Sequence, residues 1–250
     1  MPSEIRIDTP ADGIVHLVLQ RSEKNNALND TMVEELHESV QRCTRDRVRL
    51  LALSGEGRGF CGGFDFTGIE SLGDADLAQR LLRIELVLQA LHHAPFPTLC
   101  LAHGAVYGAG ADIFGACSLR LCDPGTTFKM PGLGFGVVLG TRRFIATVGE
   151  PAGVGILAQT RSFGAAEALS IGFATAVSPR ERWPQEVEQA ASTAQALPAD
   201  SIAALHAARH GDHRAQDMLA LVQSVARPGL RERMINYRAS VKRAAQGAAR

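Results

Sequence analysis

Short apolar runs alternate with longer amphipathic runs over the first 180 residues of the chain. Apolar residues at Ile14–Leu19 predict a first strand, and similar runs predict strands at 48–53 and Thr98–Ala102. Two shorter runs, Leu119–Cys122 and Thr127–Lys129, predict further short strands. This alternation of strands with helices favours an α/β fold with crossover connections.

Between these strands, apolar residues with helical spacing predict helices. The Asn29 side chain can accept hydrogen bonds from the first turn of a helix, and the apolar residues after it recur near every 3.6 positions. A leucine-rich stretch from Leu77 to Leu91 predicts a second helix, which Pro95 and Pro97 end. Further helices are predicted at 111–118, 141–149, 151–160, 164–171 and 184–196, with an Ala-rich helical tail over 199–250.

Composition and charge exclude several classes of protein. The 250 residues are 46% hydrophobic, which is enough for one sizeable core. Lys plus Arg and Asp plus Glu each total 26, and this balance argues against nucleic acid or an anionic membrane as the main partner. No apolar run approaches the roughly 18 residues that span a bilayer. The N-terminal residues also lack the regions of a signal peptide, so we expect a cytoplasmic protein.

The five cysteines have irregular spacings and form no C-x-x-C pair. Most of them lie among apolar residues. We therefore expect reduced, buried thiols rather than a disulfide framework.

Two predicted strands each end in a glycine-rich turn. Residues 57–65 read Gly-Arg-Gly-Phe-Cys-Gly-Gly-Phe-Asp, and residues 103–112 read His-Gly-Ala-Val-Tyr-Gly-Ala-Gly-Ala-Asp. Glycine allows a ligand to approach the backbone closely, and the second turn opens a helix whose first N–H groups are unpaired. Such turns can aim peptide N–H groups into a cavity, although either one alone could be a simple connection.

Neither turn is a nucleotide-binding fingerprint. After Gly108 and Gly110 the next glycine is Gly115, two positions too late for G-x-G-x-x-G, and the chain has no G-x-x-x-x-G-K-[ST]. The absence of a G-x-S-x-G elbow disfavours a serine hydrolase of that kind.

Four motifs, in order along the chain, resemble those of the crotonase superfamily, the enoyl-CoA hydratase/isomerase family. Asn26-Ala27-Leu28-Asn29 matches N-A-L-N, and residues 50–65 match a strand followed by G-x-G-x-x-F-C-x-G-x-D. Residues 97–113 match the second glycine motif, which ends in G-x-G-x-[ED]-[LI], and residues 166–174 match E-A-L-x-x-G. The resemblance covers roughly residues 12–180 and is weaker in the helical tail.

The resemblance implies a fold, a ligand and an assembly. We expect a crotonase-like spiral of ββα units over residues 1–196 and a C-terminal helical region over 197–250. It implies a coenzyme A thioester as substrate, with coenzyme A as part of that substrate and no other cofactor or metal. It also implies a homotrimer or hexamer.

By motif position, the N–H groups of Phe64 and Ala109 would form an oxyanion hole for the thioester oxygen. Removing one donor from such a hole typically lowers the rate by about 10²–10³. The family more often has Gly where this chain has Ala109. The positions that the resemblance implies for substrate binding are Ala27, Gly62, Gly63, Asp65 and Gly108. Asp65 could instead orient the first turn through hydrogen bonds to the backbone.

Asp112 is the candidate general acid or base. It lies one helical turn after Ala109, so its side chain can lie near the same face. Its apolar neighbours should desolvate the carboxyl and raise its pKa. The alternative is an acid that only stabilises a helix N-terminus. The family motif places an acid here in hydratases and dienoyl-CoA isomerases, which favours the catalytic role.

A second acid of the family is missing. Hydratases and simple enoyl-CoA isomerases carry Glu after Pro in F-x-x-P-E, where this chain has Gly132. The family's water addition uses two carboxylates, and its simple isomerases use the acid that is missing here. The dienoyl isomerases have further acids where this chain has Val137, Val138 and Leu139. Three hypotheses remain: an acyl-CoA enzyme of the hydratase/isomerase kind; another reaction at the same oxyanion hole, such as double-bond isomerisation, thioester or C–C hydrolysis, or decarboxylation; or a non-catalytic acyl-CoA-binding homologue.

Other polar residues have both a functional and a plain interpretation. The possible substitutes for the missing acid are His103, Tyr107, Lys129, Glu70 and Arg142, each of which could equally be a packing or solvated residue. His206, His210 and His213 have the i, i+4, i+7 spacing of one helix face, which could bind zinc or be a surface cluster. The basic tail from Arg231 to Arg250 could contact nucleotide phosphates or lie in solvent or an oligomer interface.

Overall fold

The computed structural model describes residues 3–248 of the chain. In chain order its strands are β1 (Ile5–Ala11), β2 (Ile14–Leu19), β3 (Leu50–Gly55), β4 (Thr98–Ala102), β5 (Ala105–Tyr107), β6 (Leu119–Cys122), β7 (Thr127–Lys129), β8 (Ser162–Gly164) and β9 (Ala176–Val177). The larger sheet has the order β1-β2-β3-β4-β6-β9, and the smaller one has the order β5-β7-β8.

Helices cover the larger sheet and continue past it. They are α1 (Asp30–Arg45), α2 (Asp74–His92), α3 (Ala109–Ala116), α4 (Thr141–Val148), α5 (Glu150–Gln159), α6 (Ala165–Ser170), α7 (Trp183–Gln195), α8 (Ala199–Ala208), α9 (Arg214–Val225) and α10 (Leu230–Ala248). The Asn29 side chain accepts a hydrogen bond from the Met32 N–H at 2.9 Å, which confirms the predicted start of α1. Among the described residues, none of these helices is both long and apolar enough to cross a membrane.

Parallel pairing dominates the larger sheet. β1 and β2 form an antiparallel hairpin, whereas every neighbour from β2 to β9 is parallel. Every residue of β3 and β4 is buried, as expected for central strands that are covered on both faces. The predicted α/β class with crossover connections is confirmed.

Two apolar layers lie on opposite faces of this sheet. Leu51 and Leu53 of β3 belong to the main core with α1, α2 and α3, whereas Leu50 and Ala52 belong to a smaller core under α7. This assignment follows from the alternation of side chains along a strand. All five cysteines are buried and free, so the expectation of unpaired thiols is confirmed.

The structure corrects several predicted bounds. β1 precedes the strand that we predicted as the first, and the sequence gives little sign of it because only Ile5 of its residues is buried. The short strand β5 lies inside the second glycine-rich turn, and α3 begins at Ala109 rather than at 111. The tail consists of three helices, with breaks at 209–213 and 226–229. Arg250 lies outside the described residues.

Candidate active site

The two glycine-rich turns lie side by side. Cys61 pairs with Val106 in a parallel bridge, and the Tyr107 N–H donates to the Cys61 carbonyl at 3.0 Å. The Phe60 N–H donates to the His103 carbonyl at 2.8 Å. The first turn therefore runs alongside β5 and reaches the N-terminus of α3.

Contacts at two glycines set the distance between the turns. A Cβ at Gly63, whose φ is +89°, would lie 2.5 Å from the Tyr107 carbonyl oxygen and 3.2 Å from the Ala109 nitrogen. A Cβ at Gly110 would overlap the Cys61 carbonyl and lie 2.8 Å from the Cys61 Cβ. Larger residues would separate the turns. The peptide that joins Gly63 to the next residue consequently lies beside the first residue of α3.

Hydrogen bonding leaves two peptide N–H groups available at this junction. Phe64 forms a parallel bridge with Leu28, in which the Leu28 N–H donates to the Gly63 carbonyl and the Asp65 N–H donates to the Leu28 carbonyl. In this pattern the flanking peptides make the bonds, so the N–H of Phe64 points away from Leu28. Ala109 is the first residue of α3, so its N–H has no carbonyl one turn earlier to bond with.

A cavity of about 390 Å³ lies against these two residues. Phe64, Ala109, Asp112, Gly62 and Gly108 all border it, so five of the eight predicted site residues lie together. The other three, Ala27, Gly63 and Asp65, are described residues that lie outside its lining. Their contact with a substrate stays a prediction.

The Asp65 carboxylate points into the protein rather than into the cavity. It forms an ion pair with Arg21 at 2.7 Å and accepts the Thr67 N–H at 2.8 Å. Burial alone would raise the pKa of Asp65, but the hydrogen bonds from Thr67 and Arg21 outweigh it and the pKa is lowered. This geometry agrees with the alternative in which Asp65 orients the first turn.

Asp112 lies in the first turn of α3 with only 7% of its surface exposed. Its Oδ1 has no hydrogen-bond partner among the described residues. A Cβ at Gly140 would overlap that oxygen, so the glycine allows the backbone to pack directly on the carboxyl. Burial raises the pKa of Asp112 well above its usual value, while nearby Arg143 opposes the rise and Glu85 adds to it.

A buried ion network lies behind Asp112. Arg143 of α4 pairs with Glu85 of α2 at 2.5 Å and with Asp217 of α9 at 2.8 Å. Arg142 also pairs with Asp217, at 2.6 Å, so it is not available to replace the missing acid. Burial would lower the pKa of Arg143, but Glu85 and Asp217 reverse that effect and raise it. Arg143 therefore stays charged close to Asp112.

Gly132 has a structural reason to be glycine. A Cβ at this position would lie 2.9 Å from the Val137 carbonyl oxygen, and residues Gly132–Phe135 form a single 3₁₀ turn. Within the described part of the chain, Asp112 is the one carboxylate that borders the cavity. Among residues 3–248, the structure thus brings no second acid to the site.

Of the proposed substitutes, only Tyr107 and Lys129 border the cavity. His103 bonds to the Gly57 carbonyl at 2.9 Å on the other side of the turn. Glu70 pairs with Arg238 on α10. These two residues are engaged elsewhere, so they are poor replacements for the acid.

Aromatic rings form part of the cavity wall, and the sequence did not predict this. Phe66 packs edge-on against Phe64 at 5.4 Å, and Tyr237 of α10 packs against Phe135 at 4.9 Å. Leu81 of α2 and two residues of α10 also border the cavity. The larger share comes from residues 129–141, whose wall-forming positions carry no pattern that marks them.

Contacts with the core hold the C-terminal helix that carries Tyr237 in place. The Asp74 carboxylate of α2 accepts hydrogen bonds from the N–H groups of residues 229–231. Arg233 donates to the Phe135 and Gly136 carbonyls, and Arg238 donates to the Phe66 carbonyl. These two arginines therefore hold wall segments, which leaves Lys242 and Arg243 as the exposed basic residues nearest the cavity end of α10.

Comparison with known proteins places this architecture in a family. The family model for enoyl-CoA hydratase/isomerase matches residues 9–242. The probable enoyl-CoA hydratase echA6 of Mycobacterium leprae is 31% identical over 189 residues, which cover 72% of this chain and 74% of that protein. The mitochondrial Delta(3,5)-Delta(2,4)-dienoyl-CoA isomerase of Rattus norvegicus is 29% identical, and the match covers 70% of this chain and 58% of that isomerase.

The fold is also that of a solved structure. The crystal structure of a protein assigned as an enoyl-CoA hydratase/isomerase from Bordetella parapertussis superposes with a TM-score of 0.93. The two chains are 42% identical, and the match covers 95% of this chain and 99% of that one. From the family match, the relatives and this superposition together, we conclude that the chain belongs to the enoyl-CoA hydratase/isomerase family.

Proposed function

We propose that this chain binds an acyl-CoA thioester and stabilises the negative charge that develops on the thioester oxygen. The N–H groups of Phe64 and Ala109 are the donors. The observation that supports the proposal is the contact between the two glycine-rich turns, since Phe64 and Ala109 both border one cavity beside that contact. Donors fixed in this way stabilise an oxyanion without reorganising during the reaction. The homotrimer or hexamer expected from the sequence remains part of this proposal.

In this proposal Asp112 is the carboxylate that transfers the proton. Hydration by the family's two-carboxylate route needs an acid on each side of the water, and Gly132 cannot supply the second. The family's simple isomerases use the acid that Gly132 replaces, but a shift of a double bond needs only one carboxylate, which takes a proton from one carbon and returns it to another. In this chain Asp112 would be that carboxylate. A raised pKa makes the ionised Asp112 a stronger base for this step. We therefore favour double-bond isomerisation over hydration.

The test compares two probe substrates. A 3-enoyl-CoA, 3-hexenoyl-CoA, should be converted to the 2-enoyl isomer without a change of mass, and Asp112→Asn should abolish turnover while binding is kept. Crotonyl-CoA should bind without gaining water. Lys129→Met serves as a matched control, since it removes a polar wall residue to which the proposal gives no role in the proton transfer.

The possible outcomes separate the hypotheses. A mass gain of one water, about 18 Da, from crotonyl-CoA would refute the preference for isomerisation and support a one-acid hydratase. Binding of both thioesters with no product would support a non-catalytic acyl-CoA-binding protein. Failure to bind either thioester, or loss of activity only in Lys129→Met, would reject the proposed roles of Phe64, Ala109 and Asp112.

A further inference from the structure

Three imidazole rings meet where α2 ends against the segment between α8 and α9. One ring nitrogen from each of His92, His93 and His210 lies within 4.8 Å of the other two. The rings of His92 and His210 are stacked with centroids 3.9 Å apart, and His93 meets His210 edge-on at 4.9 Å. All three are half-buried. The proposed chemistry at Asp112 makes no use of this cluster.

The cluster differs from the one that the histidine spacing suggested. α8 ends before His210 and α9 begins after His213, so the predicted single helix face of His206, His210 and His213 is wrong. The Nδ1 atom of His206 lies 3.2 Å from Arg209, and that of His213 lies 3.1 Å from the Gln216 amide oxygen. Of the three, only His210 turns toward α2.

A hydrogen bond fixes the orientation of one of the three rings. The Nε2 atom of His210 lies 3.0 Å from the His92 carbonyl oxygen, which can only accept. Nε2 therefore carries the proton, and Nδ1 of the neutral ring keeps its lone pair. Nδ1 of His210 and Nδ1 of His92 are both buried, and neither has a partner among the described residues. A ring held by a backbone carbonyl in this way is the usual arrangement of a metal-binding histidine.

The charges around the three rings affect whether a cation can bind between them. Of the neighbouring cations, Arg143 and Arg214 are each paired with a carboxylate, whereas Arg209 adds a positive charge that weakens the site. His93 borders a surface groove, which gives an ion a way in.

We propose that His92, His93 and His210 bind one divalent transition-metal ion, Zn²⁺, through their ring nitrogens. Tetrahedral Zn²⁺ with Zn–N bonds near 2.05 Å holds its ligands about 3.4 Å apart. The nitrogens must consequently close by up to about 1.4 Å, and the ring of His92, which is stacked on His210, must turn so that both lone pairs meet at the ion. Three imidazoles leave a fourth position for water. The ion would link the end of α2 to residues 209–213.

The test uses the full chain without an affinity tag, freed of metal by a chelator. Zn²⁺ titrated by calorimetry should bind with one ion per chain and raise the midpoint of thermal unfolding. Co²⁺ should give the visible ligand-field bands of a tetrahedral site, without the near-ultraviolet charge-transfer band that thiolate ligands give. Affinity should fall at least about tenfold in His210→Gln and in His93→Gln.

Matched controls keep the proposal falsifiable. His213→Gln removes a histidine from the same segment and should leave both the stoichiometry and the affinity unchanged. If His210→Gln fails to fold, as judged by circular dichroism, His93→Gln carries the comparison, since His93 borders the surface groove. The proposal is wrong if Zn²⁺ does not bind stoichiometrically, if the Co²⁺ spectrum shows thiolate ligation, or if His213→Gln weakens binding as much as His93→Gln does.

Discussion

Replacing Asp112 by Asn should change how the stability of the protein depends on pH. The carboxyl is 7% exposed and lacks a partner for Oδ1 among the described residues, so folding favours its protonated form. With the folded-state pKa above the unfolded one, its contribution to stability is complete at acid pH. That contribution declines as pH rises from the ordinary pKa toward the folded-state pKa.

The size of the effect follows from the linkage between proton binding and folding. One group that binds a proton in the folded state and not in the unfolded state costs about 1.4 kcal/mol of unfolding free energy per pH unit. Asp112→Asn removes this term and keeps the shape of the side chain against Gly140. Its buried amide adds an offset that does not vary with pH. The free energy of unfolding of the variant should therefore gain on the wild type by about 1.4 kcal/mol per pH unit.

Urea unfolding from pH 4.5 to 8, at one fixed protein concentration, measures this difference. The single tryptophan, Trp183, is buried and reports the transition. The pH at which the difference stops growing gives the folded-state pKa of Asp112. Parallel profiles over the whole range would refute the argument that burial governs this carboxyl.

Other substitutions test other parts of the structure. Gly63→Ala should lower acyl-CoA turnover by about 10²–10³ by moving the oxyanion donors. Gly149 has a similar φ of +83°, and an added Cβ there would meet nothing within 4 Å. Gly149→Ala should therefore cost about 1–3 kcal/mol of stability without affecting turnover. Equal losses of turnover in Gly63→Ala and Gly149→Ala would contradict this. Arg143→Met leaves the buried Glu85 carboxylate without its ion partner, while Asp217 keeps Arg142, and should cost about 3–5 kcal/mol in urea unfolding. The half-exposed ion pair of Arg161 should contribute less than about 1 kcal/mol to stability. Similar losses of stability on breaking the ion pairs of Arg143 and of Arg161 would contradict the role given to the buried network. Burial raises the pKa of the Cys61 thiol to about 12. Ellman's reagent should therefore label no thiol in the native protein at pH 8 and all five thiols after denaturation. Rapid labelling of the native protein would show that the core opens.

The sequence predicted best those features that depend on local pattern. β4, β6 and β7 have the predicted bounds because their apolar residues are bracketed by glycine, proline or polar residues. The two glycine-rich turns could be predicted because close packing between backbones requires glycine, which is visible in the sequence. Asp112 could be placed on the cavity from its position one turn into α3.

Features that depend on distant contacts could not be predicted. Arg143 in an amphipathic helix reads as a surface residue, yet its partners lie 58 and 74 residues away and bury it. Tyr237 borders the cavity because contacts of Asp74, Arg233 and Arg238 hold α10 in place. The histidine spacing suggested one helix face, but the chain turns at 209–213 and carries His210 to a different element.

Main-chain donors would give the proposed anion site an unusual tolerance of mutation. A point substitution at Asp112 or at a wall residue changes a side chain, whereas the N–H groups of Phe64 and Ala109 persist for every residue at those positions except proline. At the crowded glycines Gly63 and Gly110, a larger residue would separate the two turns and so disrupt the proposed site. Under this proposal, sequence drift would alter the reaction before it abolished binding of the thioester, and Gly132 in place of Glu is the kind of change that the scaffold can absorb.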